Sequence, residues 1–341
     1  MFMSEDLSMK FKRFAVLECR GSSPLYEFLS SKIAEDILML DLAGKAREGQ
    51  PVPNLYFGAV HYLLMKGYNH PLAGFYPSLT KKPNPAEEAY PFFIDFCRTY
   101  SVEIIELIKS KIVQTNEVRR CSYLYPIFSR ISHLTKKPLA LIEIGTSAGL
   151  QLFVDKYSYT YGTVENFGNS HSEVHLKSEI RGDKSLLDTL HHFDVATRTG
   201  VDLHINDVRN PEDYLWLKAL IWPEHFERQK LFEKAASYVS NQTLRLIEGD
   251  GVEMLRSLAS EIPEDQVICV FHTHVANQMS VNTKRKLLEY IKEIGQRRTI
   301  FHIYNNIYDA KLHLDYYLDR KESLNTIGET DGHGRWFSLV L

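Results

Sequence analysis

Four cysteines in 341 residues is a low count, and none of Cys19, Cys97, Cys121 and Cys269 stands in a C-x-x-C pair. That excludes a zinc ribbon or a dithiol redox centre and leaves buried free thiols in a reducing compartment. Long apolar runs are missing as well. No window reaches the ~18 uncharged apolar residues of a membrane-spanning helix, and residues 1–14 lack the apolar core of a secretory signal. Excess charge of one sign is absent: 40 Lys and Arg face 43 Asp and Glu, a net charge of -3. The basic pairs Lys81-Lys82, Arg119-Arg120, Lys136-Lys137 and Arg297-Arg298 read as solvated faces, so neither nucleic acid nor an anionic membrane is expected as a partner. No internal repeat or low-complexity tract is present. A cytoplasmic protein is the expectation.

What is present is ordinary globular material, 44% hydrophobic and 24% charged, enough for a sizeable core. The length suggests two domains, and the chain changes character midway. Residues 1–135 read as helical. Ser23-Pro24 opens a helix with proline in its first turn, Ile33, Ile37, Leu38 and Leu42 recur at helical spacing, residues 55–65 form a helix apolar enough to be buried, and residues 92–111 and 116–131 predict two more. A loop rich in Pro, Gly and Tyr spans residues 69–82 and has the length of a lid. From residue 136 to 341, short β-type runs alternate with helical ones. Strands are predicted over 138–145, 200–203, 243–248, 266–272 and 299–304, with helices over 223–239, 252–258 and 281–294. That alternation predicts an α/β fold, a Rossmann-like doubly wound parallel sheet. Residues 156–198 fit neither pattern and are expected to form an inserted hairpin arm.

In such a sheet the ligand lies beyond the carboxyl ends of the strands, at the point where strand order reverses. Gly145-Thr146-Ser147-Ala148-Gly149 follows the first strand and places small residues where backbone must approach a ligand. Gly145, Ser147 and Gly149 occupy the three glycine places of a G-x-G-x-G turn. Glu143, two residues earlier, suits a cationic ligand better than a pyrophosphate, favouring S-adenosylmethionine over a dinucleotide. Asp202 ends the second strand, where a carboxylate accepts from ribose hydroxyls, with Glu179 as its competitor should 174–180 be that strand instead. Asp250 follows the third strand, where an acid contacts an adenine amino group.

The series Glu143-x-Gly145-x-x-x-Gly149, Asp202, Asp250 resembles class I S-adenosylmethionine-dependent methyltransferases. The chain as a whole resembles a bacterial family of unassigned function placed near those enzymes. Five stretches carry that second likeness: Gly49-Gln50-Pro51-Val52-Pro53-Asn54, Val113-Gln114-Thr115-Asn116-Glu117-Val118-Arg119-Arg120, Ile221-Trp222-Pro223-Glu224, Val270-Phe271-His272-Thr273 and Gly332-His333-Gly334. The resemblance implies a helical N-terminal cap over a methyltransferase-type sheet. It also implies that the strand end at His272-Thr273-His274 faces the methyl acceptor.

On this reading Glu143, Gly145, Thr146, Ser147, Gly149, Asp202 and Asp250 bind S-adenosylmethionine. His272 or His274 is the candidate general base. Asn116, Glu117, Arg120 and His333 are candidates for binding a small-molecule acceptor, with Arg119 and Arg120 able to grip an acidic one. Asn54, His61, Tyr68, His70 and Tyr76 are candidates for lining the acceptor side from the helical region. His272 and His274 share a strand face at period two and with His302 could ligate a metal, but no carboxylate accompanies them and no metal is expected. Gly145-Thr146-Ser147-Ala148-Gly149 also satisfies the G-x-S-x-G nucleophile elbow, and Ser147, Asp250 and His333 follow the chain order of an α/β serine hydrolase. Against this, several strands should precede the nucleophile, and a carboxylate at Glu143 opposes a developing oxyanion. A third reading is a non-catalytic Rossmann-like binding protein.

Overall fold

The computed structural model describes residues 2–341, which divide into two compact units. One comprises residues up to 115 together with 210–230; the other comprises 116–209 and 231–341. The helices in chain order are α1 (Phe2–Phe14), α2 (Pro24–Ile33), α3 (Ile37–Ala43), α4 (Val52–Met65), α5 (Ala89–Thr99), α6 (Ser101–Ser110), α7 (Cys121–Thr135), α8 (Pro211–Ala219), α9 (Phe226–Ser240), α10 (Gly251–Glu261) and α11 (Val281–Gly295). No helix among the described residues is long and apolar enough to cross a membrane.

The first unit is helical, and its local signals behave as the residues dictate. Ser23 caps α2 through Tyr26 N, with Pro24 at the first helical position. The spacing of Ile33, Ile37, Leu38 and Leu42 does not make one helix. Asp36 accepts from Leu38 N and Met39 N and starts α3 afresh, leaving Ile37 and Leu38 exposed. Residues 92–111 likewise split into α5 and α6 at Tyr100. α4 is buried almost throughout, and its Phe57 stacks on Tyr26 at 4.3 Å between centroids. Residues 210–230 are integral to this core. Trp216 Nε1 donates to Ile112 O, and Glu224 accepts from Ser23 Oγ and Leu25 N at the start of α2.

The second unit is an α/β structure with a large central sheet. Its strands are β1 (Leu139–Ile144), β2 (Ser158–Thr160), β3 (Phe167–Gly168), β4 (His175–Lys177), β5 (Glu179–Ile180), β6 (Val195–Asp202), β7 (Arg245–Glu248), β8 (Val267–His272), β9 (Ile300–Tyr304), β10 (Leu312–Leu318), β11 (Lys321–Ser323), β12 (Thr326–Thr330) and β13 (Trp336–Leu339). The main sheet runs β5-β13-β12-β10-β9-β8-β1-β6-β7, with β11 beside β10. From β7 to β9 all neighbours are parallel; β9, β10, β12 and β13 pair antiparallel. β1 and β8 are buried along their whole length, as central parallel strands covered on both faces must be. Residues 156–198 hold more than a hairpin: β2 and β3 pair antiparallel, and β4 joins β2 in parallel. β2, β3 and β4 form a small separate sheet whose tyrosines 157, 159 and 161 are fully buried, and β5 adds a strand to the far edge of the main sheet.

The chain leaves β1 toward β6 and β7 on one side, then returns to β8 and β9 on the other. Strand order therefore reverses between β1 and β8. That is where an open parallel sheet offers a crevice at its carboxyl ends.

Candidate functional site

The loop after β1 carries three left-handed residues, Gly145 (φ 76), Ser147 (φ 52) and Gly149 (φ 74). Ser147 thus adopts a conformation that glycine takes without strain. Packing accounts for both glycines too. An added Cβ would lie 2.3 Å from Val275 Cγ2 at Gly145 and 2.5 Å from Leu244 Cδ2 at Gly149. After the loop comes only a short, kinked 3-10 segment, Leu150–Lys156, where a Rossmann-like strand–turn–helix unit would carry a helix. Gly149 ahead of it is left-handed, and Phe153 within it departs from helical geometry.

Asp202 ends β6 beside β1, and its Oδ2 accepts from Ser147 N at 2.8 Å. Glu179, the competing acid, lies on β5 at the opposite edge of the sheet. Glu143 is fully enclosed and accepts from Thr146 Oγ1 at 2.6 Å. Burial pushes its carboxyl up to about 8, so below that pH it is neutral rather than a charge offered at the strand end. Asp250 is exposed and caps α10 through Val252 N and Glu253 N.

Ser147 Oγ accepts from Asn116 Nδ2 at 2.5 Å and from Asn206 Nδ2 at 3.1 Å. Two amide donors hold it and no histidine does. His333 faces Glu117 at 3.5 Å, and Asp250 is engaged in its cap. Ser147, Asp250 and His333 are therefore not joined as a triad, and the geometry gives a nucleophile elbow no support.

The other flank of the crevice is built on β8 and β9. His272, fully buried, meets His302 with Nε2 atoms 3.2 Å apart, and burial lowers its pKa to about 3. His274 follows in the left-handed region, φ 62. Its N donates to Asn305 Oδ1 at 2.7 Å; the same oxygen accepts from Asn306 Nδ2, and that amide approaches His274 Nδ1 at 3.4 Å. This chain fixes the tautomer. A backbone N–H must donate, so the Asn305 atom is oxygen, the Asn306 atom is nitrogen, and His274 Nδ1 accepts. The imidazole hydrogen therefore resides on Nε2. Burial and the Arg120 field hold His274 down to about 4, so it is neutral at pH 7.

Arg120, almost wholly buried, donates from Nε to Gly332 O and from Nη1 to Thr273 O and Oγ1. Gln151 Nε2 also bonds Thr273 Oγ1, and Tyr123 is buried beside them. Gly334 closes the turn against the 117–120 segment: a Cβ there would sit 2.6 Å from Arg119 O. So three separate sequence stretches, 116–120, 270–273 and 332–334, meet at one guanidinium.

Not all candidate residues come together here. His61 and Tyr76 are buried inside the helical unit, where His61 bonds Ala219 O through Nδ1 and Ser78 Oγ through Nε2, both at 2.8 Å. His70 caps Leu72 N and pairs with Asp95. No group of three or more His, Cys, Asp or Glu positioned for a metal ion occurs among the described residues. The four cysteines are free and buried. Asn305, Asn306, Gln151 and Asn206 escaped the sequence reading. The signal for the first two was available: an Asn-Asn pair directly after an apolar strand of an alternating α/β chain.

The fold and this crevice define an α/β protein with a large central sheet and a polar site at its carboxyl ends. The model of a family described as "Uncharacterized protein conserved in bacteria (DUF2332)" matches residues 8–339, and the chain belongs to that family. No curated protein and no solved structure matches it.

Proposed function

We propose that the chain is an S-adenosylmethionine-dependent methyltransferase of class I type acting on a small-molecule acceptor. The observation that carries this is the reversal of strand order between β1 and β8. It sets a left-handed loop and Asp202 on one flank and the Thr273-His274 turn on the other. Departures from the pattern are Ser147 in place of glycine, the short 3-10 segment after the loop, and the antiparallel strands beyond β9.

Asp202 is the acid for ribose hydroxyls, the Gly145–Gly149 backbone the site for the amino-acid portion, and Asp250 the group nearest adenine. Bound there, S-adenosylmethionine supplies an activated methyl group. The chain's own contribution is to orient the acceptor and keep water out. His272 is sealed against His302 and is not available as a base, while His274 presents an N–H and suits holding the acceptor better than deprotonating it.

Calorimetric titration with S-adenosylhomocysteine tests the reading. Saturable binding at one site per chain is expected. Wild-type protein that is folded and yet gives no heat of binding removes it.

A further inference from the structure

Arg120 presents a physical problem that its neighbours do not solve. Its side chain is almost wholly buried, a guanidinium stays charged at any working pH, and buried charges are normally paired. It bonds only Gly332 O and Thr273, and it makes no ion pair among the described residues. Glu143, within its field, is neutral below about pH 8 and engaged by Thr146. A buried cation without a carboxylate is a place for an anion.

Unmatched donors stand on the turn that follows its partner Thr273. Asn305 is fully buried, its Oδ1 takes two hydrogen bonds, and its Nδ2 has no partner. His274 Nε2 carries the imidazole hydrogen and has no partner either. His274 and Asn306 both hold left-handed backbone here (φ 62 and 65), strain that persists only where surrounding structure enforces it. Two amide and imidazole donors with one fixed cation match a planar monoanion; a phosphate dianion calls for more positive charge.

We propose that Arg120, Asn305 and His274 form a carboxylate subsite at the carboxyl ends of β8 and β9. The anion subsite stands on these contacts alone; only the statement that it holds the acceptor's carboxylate rests on the methyltransferase reading. Asn305→Asp is the sharp variant. It keeps the oxygen that receives His274 N and Asn306 Nδ2, and it replaces the unmatched donor with a second carboxylate oxygen.

The test titrates benzoate, benzamide and inorganic phosphate into full-length protein without cofactor, following the Asn305 side-chain amide and the His274 imidazole by NMR. Benzoate is expected to shift both signals saturably, with benzamide and phosphate at least tenfold weaker. Asn305→Asp and Arg120→Lys should each weaken benzoate at least tenfold while retaining the wild-type circular dichroism spectrum. Comparing the three ligands on wild-type protein decides the matter even if a variant does not fold. The proposal is overturned if benzamide or phosphate equals benzoate, if the shifts fall elsewhere, or if folded Asn305→Asp binds benzoate as wild type does. S-adenosylhomocysteine titrated separately shows whether the cofactor reading stands or falls independently.

Discussion

The deepest histidine of the helical unit and those of the sheet unit are treated in opposite ways. His61 has a partner at 2.8 Å on each ring nitrogen. His272, His302 and His274 each leave a buried nitrogen unmatched, and Glu143 nearby is buried at a cost to its charge. A satisfied buried polar group contributes to stability; an unsatisfied one detracts from it. Proteins tolerate the second kind chiefly where function needs it. The contrast separates a histidine that serves packing from those at the candidate site, although His61, His272 and His302 are equally buried.

The largest expected effect breaks that contrast if it fails. Glu143 has a folded pKa of about 8 against 4.5 for the free group. Between those values the folded chain holds a proton that the unfolded chain has released, so stability falls as pH rises through this window and levels off above it. Glu143→Gln does not titrate. Its melting temperature should gain on wild type with rising pH, by about 3–5 kcal/mol equivalent at pH 8.5. A constant difference from pH 5 to 8.5 contradicts the assignment.

His61→Phe should act in the reverse direction. It leaves Ala219 O and Ser78 Oγ without partners and should cost about 3 kcal/mol in urea unfolding at pH 7. Burial lowers His61 to about 4, so wild type loses its advantage as pH falls from 6.5 toward 4. The gap between the two proteins should narrow over that interval. His272→Phe sharpens the comparison from the other side. One histidine–histidine bond is lost and His302 Nε2 is left unmatched, but the unmatched Nδ1 of His272 is removed and offsets it, so the change should stay within about 1 kcal/mol. A loss as large as that of His61→Phe would place His272 among the packing residues. The smallest effect concerns Ser147: a fluorophosphonate probe should leave it unlabelled on folded protein, because its Oγ is held by Asn116 and Asn206 with no base beside it.

The parallel strands were legible because each is a short apolar run followed by a small or polar turn, as in residues 139–145 and 266–272. α11 was legible because its lysines and glutamates mark an outer face. The break at Asp36 was not, since its carboxylate caps α3 only once the chain turns there. The small sheet of β2, β3 and β4 was missed because two- and three-residue strands carry no periodicity. Residues 210–230 were assigned to the sheet half, yet Trp216 and Glu224 take their partners from Ile112 and from the start of α2, contacts at long sequence separation that no local pattern announces. At the site, Gly145, Ser147, Gly149 and Asp202 were legible from type and spacing. Asn305 was legible only as half of an Asn-Asn pair after an apolar strand; its unmatched amide nitrogen is exposed only by the hydrogen-bond network.

The most direct measurement of the central claim is the affinity for S-adenosylhomocysteine in wild type, Asp202→Asn and Asn305→Asp, each checked for folding. The account predicts that wild type and Asn305→Asp bind alike and that Asp202→Asn binds at least tenfold more weakly, the equivalent of about 1.4 kcal/mol. Failure of the folded wild type to bind, or an Asp202→Asn variant that binds as tightly as wild type, would contradict it.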